Sequence, residues 1–390
     1  MSTAELYLSE EEIAEFIAET RIESQYFYGD EGQQYGVCPY ITFYIYHSKE
    51  DFLRISHEVI ELHQELQELI DSPYKKVYNS KTQAWAKATP EKLGREMLHE
   101  HARLAAEYGF KSLYVQATDM DSPAASARWA FSAAVDYTPE MCYTTVKITF
   151  RDSWYCNNQA TWHNFVERWL KRLQPEQCYS GYEIGTTTIG VMGAYESDVM
   201  ERICADHFYG LDIDHAQKMG YHNHDDEDGY INYSDLGAGI RTPTWGFLLS
   251  PLWRSKLGKS VAEVKAQLAH PDIQISEIPY PVGKHNPEGE PALWIRLGEL
   301  SLYPVDEGLP ELPVIANALI KPIRCDHLQL FTLDPWADDP NPRFDFENGP
   351  LWMARFDPDS QWPSAETRKP LLKTSTIYNG RCEFNGVRVN

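Results

Sequence analysis

The sequence predicts a mixed α+β fold, with largely antiparallel sheets and helices packed on one face. Three observations predict it. Short runs rich in aromatic and β-branched residues recur, Tyr40–His47 being the clearest. Such runs are followed by stretches whose apolar residues stand three and four apart, as at 52–70 and 162–173. The composition, 43% hydrophobic and 24% charged over 390 residues, is that of a folded chain with a sizeable core. Length and order leave open two related halves, 1–180 and 181–390, or one continuous fold.

An acidic amphipathic helix is expected from about Ser9 to Thr20, with Ile13, Phe16 and Ile17 inward. After the strand Tyr40–His47, Ser48 reads as a helix N-cap with Glu50 and Asp51 in the first turn. That helix reaches about Ile70, with Phe52, Ile55, Val59, Leu62, Leu66 and Leu69 on one face. Glu58, Glu61, Glu65 and Glu68 keep the same spacing one residue earlier, forming a carboxylate ridge. Like charges so placed cost an isolated helix about 0.2–0.5 kcal/mol per pair, so the ridge points to a use. Thr89-Pro90-Glu91 opens a helix that Gly109 ends, and a strand follows at Ser112–Ala117. Tyr143–Arg151 reads as a strand, Asn157 and Asn158 as a polar turn, and the stretch around Trp162, Phe165, Val166, Trp169 and Leu173 as a helix stopped by Pro175. Strand-then-helix order recurs from Trp294 to Ile320. Ser260 and Glu263 have the spacing of a capping box. From Asp334 onward, proline and aromatic residues predict hairpins and loops, with strands near Leu351–Phe356 and Thr374–Val389.

The formal charge of −23 is placed unevenly. Met1–Asp71 holds 16 Asp+Glu against 3 Lys+Arg, and Ala205–Leu236 holds 8 against 1. Acidity kept for solubility would be spread out, whereas segmental acidity suits a basic partner. Direct nucleic-acid binding is disfavoured because the phosphate backbone would be repelled. The acidic N-terminus lacks a signal peptide's basic start and apolar run, and no stretch approaches the roughly 18 apolar residues of a membrane span, so a cytoplasmic location is expected. Seven widely spaced cysteines without C-x-x-C read as reduced, mostly core thiols.

Several stretches approach known chemical motifs. In Tyr221–Gly229, a calcium-loop register puts His224, Asp226 and Asp228 at positions 1, 3 and 5 and Asp235 at 12, but the first ligand is wrong and the bidentate Glu is missing. A metal-dependent hydrolase built on the His/Asp segment 207–235, from His207, His215, His222 or His224 with Asp212, Asp214 or Asp226, is the alternative reading. His57-Glu58-Val59-Ile60-Glu61 departs from H-E-x-x-H in its last residue. Leu257-Gly258-Lys259-Ser260 lacks the first glycine of a phosphate loop, Trp253 standing in its place. No cofactor and no enzymatic activity are expected.

At Tyr209-Gly-Leu-Asp-Ile-Asp214, Thr244-Trp-Gly-Phe-Leu-Leu-Ser-Pro-Leu-Trp-Arg-Ser-Lys-Leu-Gly258 and Glu311-Leu-Pro-Val-Ile-Ala-Asn-Ala-Leu-Ile-Lys-Pro-Ile-Arg324 the chain resembles a bacterial family of type VI secretion immunity proteins, the group that protects cells from VRR-Nuc nucleases. The matching residues Leu211, Trp245, Leu248 and Leu257 are expected in the core. The His-rich acidic insert between Asp214 and Trp245 departs from the family pattern. The resemblance implies a protein that binds and neutralises a cognate secreted effector, a nuclease, by covering its substrate site. The carboxylates expected to meet that partner are Glu58, Glu61, Glu65, Glu68, Asp212, Asp214, Asp225, Asp226, Glu227 and Asp228.

Overall fold

The computed structural model describes residues 4–5, 10–22, 27–28, 35–79, 82–107, 111–123, 125–137, 143–185, 195–216, 221–223, 231–233, 239–283, 286–328, 344, 348–363, 375–378, 381–384 and 387–388. In chain order its elements are β1 (Ala4–Glu5), α1 (Glu10–Ile22), β2 (Phe27–Tyr28), β3 (Tyr35–Tyr46), α2 (Phe52–Leu69), β4 (Lys76–Asn79), β5 (Ala84–Lys87), α3 (Arg95–Glu107), β6 (Lys111–Thr118), β7 (Ala130–Tyr137), β8 (Tyr143–Thr149), α4 (Asp152–Leu173) and β9 (Gln177–Ile184). There follow α5 (Tyr195–Ala205), β10 (Tyr221–Asn223), β11 (Ile231–Tyr233), β12 (Gly246–Leu249), α6 (Pro251–Leu257), α7 (Val261–Gln267), β13 (Ile273–Ile278), β14 (Ala292–Leu297), α8 (Glu311–Ile320), α9 (Asn348–Met353), β15 (Ser375–Tyr378), β16 (Arg381–Phe384) and β17 (Val387–Arg388).

One antiparallel sheet organises the fold, in the order β13-β14-β12-β9-β3-β8-β7-β6-β4-β5, with β2 also pairing β3. The long strand β3 sits inside it, paired from Val37↔Ile184 to Tyr44↔Gln177 with β9 and from Tyr40↔Thr149 to Tyr46↔Tyr143 with β8. β9 then carries the sheet to β12 through Gly246↔Ser180. Residue 180 therefore lies within a strand, and the sheet runs through both segments divided at 180/181.

The expected class, mixed α and β on an antiparallel sheet, is what the structure has. Helices cover both faces rather than one. Ile41, Phe43 and Ile45 of β3, with Val146, Ile148, Leu248 and Trp294, pack against the apolar stripes of α2, α3 and α4. Phe247, Leu249, Leu293 and Ile295 face the other way, toward Phe16 and Ile17 of α1, Ile203 and Cys204 of α5, and Leu319 and Ile320 of α8. The reason is visible in the strands: β3 and β12 are near-continuous apolar runs buried on both sides, with no polar face to leave in water.

Local chemistry explains most boundaries. Asp51, not Ser48, holds the N-cap position of α2, and the Ser48 hydroxyl donates to the Asp51 carboxylate at 3.0 Å. The Thr89-Pro90 start makes only a turn, and Gly94 separates it from α3; a Cβ at Gly94 would stand 3.0 Å from the carbonyls of Pro90 and Glu91. Asn157 and Asn158 lie inside α4, which kinks at Asn158 (φ −134°, ψ 26°) and ends on left-handed Gln174 before Pro175. The capping box closes as expected, Glu263 N–H donating to Ser260 Oγ at 3.3 Å and Ser260 N–H to Glu263 Oε2 at 2.8 Å. At 348–353 there is a short helix where a strand was expected. Pro350 at its first turn suits a helix start and carries no N–H for a ladder. Among the described cysteines, Cys38, Cys178 and Cys204 are buried, Cys325 is half-buried and Cys156 is exposed, all as free thiols.

Candidate partner-binding surface

The carboxylate ridge of α2 is met by arginines from neighbouring helices. Glu58 pairs with Arg172 at 2.6 Å, Glu61 with Arg95 at 2.7 Å, and Glu65 with Arg168. Glu65 also accepts from Trp169 Nε1 at 3.0 Å, and the Arg172 guanidinium lies 4.2 Å from the Trp169 ring centre. The first three glutamates thus hold α2 to α3 and α4. Glu68 is exposed and has no ion pair among the described residues. Arg95, Arg168 and Arg172, all from outside the first 71 residues, thus offset three of that stretch's net −13.

Asp212 and Asp214 are also engaged internally, at the centre of the fold, and both are fully buried. Asp212 follows Gly210, whose Cα hydrogen could not be replaced: a Cβ there would stand 2.4 Å from the Ser301 carbonyl. The Asp212 N–H donates to Tyr182 O at 2.7 Å, fixing the segment over β9. Its carboxylate accepts from the Tyr40 hydroxyl at 2.8 Å and the Thr244 hydroxyl at 2.7 Å, with Arg355 Nη2 at 3.7 Å. Asp214 accepts from the Tyr44 hydroxyl at 2.7 Å and pairs with Arg241 Nη2 at 3.1 Å. Arg241 also donates to Ile213 O at 2.8 Å and lies 4.4 Å from the Tyr179 ring centre.

The charges tune one another. Burial raises the Asp212 carboxyl above its usual range despite Arg241 and Arg355. Burial alone would also raise Asp214, but Arg241, Lys147 and the Tyr44 hydroxyl hold it below the usual range. Burial brings Arg355 down to about 9, with Asp212 opposing the shift. Nearby, burial lifts Glu183 to about 8 although Lys147 Nζ sits 2.5 Å away. Buried ions need such partners because removing one leaves an uncompensated charge in a poorly polarisable interior. The segments 209–214, 244–258 and 311–324 converge here: Arg324 of the third chelates Asp357, just beyond Arg355, at 2.8 and 3.0 Å. Leu211, Trp245 and Leu248 are buried as expected, and Leu257 packs at the core's margin. The segment 244–258 supplies strand β12 and helix α6, while 209–214 and 311–324 belong to the sheet's second cover.

Asp225, Asp226, Glu227 and Asp228 lie outside the described residues, as do His224 and Asp235 of the calcium-loop register. Flanking them, β10 and β11 pair from Tyr221↔Tyr233 to Asn223↔Ile231. Of the other metal candidates, His215 Nε2 stands 3.0 Å from Glu201. Among the described residues no three His, Cys, Asp or Glu side chains are grouped to hold a metal ion. Likewise, no described helix is long and apolar enough to cross a membrane. Gly258, of the rejected phosphate loop, is the left-handed C-cap of α6.

The acidic surface left over lies on α1. Glu11 and Glu15 are exposed on its outer side while Phe16 and Ile17 are buried. Arg21 in its last turn forks to Asp306 at 2.9 Å and Glu307 at 3.2 Å on the one-turn helix Val305–Glu307, whose carboxylates are 67% and 68% exposed. Beside them stand two exposed apolar side chains, Ile22 at 81% and Leu309 at 47%. Exposed apolar side chains beside charged ones are a feature of protein interfaces. The acidity of α1 was legible in sequence. Asp306, Glu307 and Leu309 were not, being nearly 300 residues away in a proline-rich loop.

No protein-family model matches the chain, and no curated protein matches it. Among solved structures, the Pseudomonas aeruginosa T6SS protein PA0821 is similar, with a TM-score of 0.62 at 16% identity over 84% of this chain and 84% of that one. At that identity the likeness shows a shared fold.

Proposed function

We propose that this chain is a type VI secretion-associated immunity protein that binds a cognate effector, a nuclease, and blocks its substrate site without turnover. The observation that carries the reading is the fold shared with a T6SS protein along 84% of both chains. The resemblance at 209–214, 244–258 and 311–324 supports it, since those segments belong to the main sheet and one of its covers and not to a separate appendage. A nuclease groove is cationic because it grips phosphate, so a carboxylate-bearing surface competes for it and speeds encounter by steering.

The contact face in this reading is α1 with Asp306 and Glu307, with Ile22 and Leu309 as its apolar anchors. A stable complex buries about 1,200–2,000 Å² in total. The test is co-expression with the product of the gene beside this chain's own, followed by co-purification and a nuclease assay. A stoichiometric, inactive complex is expected. Free, active nuclease in the presence of folded immunity chain would reject the proposal.

A further inference from the structure

The sheet's far edge has the opposite electrostatic character. Between residues 72 and 95 the sequence holds six Lys+Arg and a single acid, Glu91, in a chain of net −23. The segment folds as the hairpin β4–β5, and β5 is the last strand of the sheet, its outer side paired by no strand among the described residues. Lys75 pairs with Asp121 at 2.8 Å and Arg95 with Glu61. Lys87 and Lys92 form no ion pair among the described residues, and Lys76 shares Asp121 with Lys75 only at longer range.

Two features set these lysines apart from a merely solvated surface. Lys76 and Lys87 are directly opposite each other across the hairpin. Ala88 N–H donates to Lys75 O at 2.8 Å, so the next pair inward, Lys76 and Lys87, belongs to the non-hydrogen-bonded type, which brings side chains closest. Like charges there are destabilising. The same alternation turns the backbone N–H and C=O of Trp85 and Lys87 outward to the open edge, and the Lys87 carbonyl already accepts from Lys92 Nζ at 3.3 Å.

We propose that the outer edge of β5 is a docking site for an extended acidic segment of another protein, which adds as a strand and is read by Lys76, Lys87 and Lys92. Main-chain bonding supplies affinity in such strand addition, and side chains supply choice. A second copy of this edge is rejected because it would set lysine against lysine, the device that keeps exposed edges from self-pairing. Nucleic acid is disfavoured by the protein's overall charge. This surface is of opposite sign to the acidic one on α1 and does not depend on that assignment.

The probe is a fluorescent ten-residue peptide of alternating glutamate and valine, titrated against the full chain, with hydrogen exchange read over 82–90. Saturable binding, slowed exchange at Trp85 and Lys87, and a loss of about tenfold or more in affinity for Lys76→Glu with Lys87→Glu are expected. Lys87→Pro, which removes one outward N–H, should weaken binding while circular dichroism and the melting profile stay close to wild type. Equal binding of a lysine-valine peptide, unchanged affinity in the double reversal, tighter binding of duplex DNA, or no binding at all would each overturn the proposal.

Discussion

Replacing Arg241 by methionine is the sharpest perturbation of the buried centre. The side chain is 1% exposed, and its guanidinium serves Asp214 at 3.1 Å, the Ile213 carbonyl at 2.8 Å and the Tyr40 hydroxyl. Methionine fills similar space but takes from Asp214 its only paired guanidinium among the described residues. Breaking a buried pair in this way costs about 3–5 kcal/mol, against about 1 kcal/mol for an ordinary substitution. The loss should depend on pH. In the wild type Asp214 is held below the usual carboxylate range, so its contribution is present above that range and lost only as pH falls through it. In the variant, burial without Arg241 raises Asp214 above its unfolded value, so the folded form takes up a proton and stability falls as pH rises toward that new value. The deficit should therefore be larger at pH 8 than at pH 5. Urea unfolding followed by tryptophan fluorescence reads both. A loss below about 1 kcal/mol at pH 8, or one independent of pH, would refute the argument that these ions stabilise one another.

Reversing Glu58, Glu61, Glu65 and Glu68 to lysine should lower stability by about 1–3 kcal/mol, since three new lysines would face Arg172, Arg95 and Arg168; at 0.5 M salt the deficit should shrink, as urea titrations would show. His63 is fully buried between Tyr74 and Phe131, and burial brings its pKa down to about 3. The unfolded chain therefore takes a proton that the folded one refuses, and stability should fall by up to about 1.4 kcal/mol per pH unit from pH 6.5 toward 3; a His63→Phe variant should lose that part of the slope in pH-dependent melts. Gly210→Ala forces a methyl against the Ser301 carbonyl and should cost about 1–3 kcal/mol or more, whereas Lys259→Ala, at a half-buried side chain that forms no ion pair among the described residues, should cost no more than about 0.5 kcal/mol by the same denaturation assay.

The amphipathic faces of α1 and α2 were legible because three-and-four spacing is a local property: Phe16, Ile17, Phe52, Ile55, Val59, Leu62 and Leu66 are all buried. The role of the α2 glutamates was not. Their counter-ions stand 34, 103 and 114 residues away in Arg95, Arg168 and Arg172, and no window count brings those together. Asp212 and Asp214 looked like surface acids for the same reason, because only the tertiary fold places Arg241 and Arg355 beside them. The two-sided cover of the sheet could have been read from β3 and β12, whose apolar residues run on without alternating. The basic hairpin at 72–95 was countable but hidden beneath a net charge dominated by the opposite sign.

Association of this chain with the product of the gene beside its own, measured at low and high salt with a variant combining Glu11→Lys, Glu15→Lys and Ile22→Asp, decides whether the proposed immunity function holds. Tight stoichiometric binding is expected, with an association rate that falls as salt rises and a marked loss of affinity in the variant. Absence of binding by the wild-type chain, or equal binding by the variant at every salt concentration, would contradict the account.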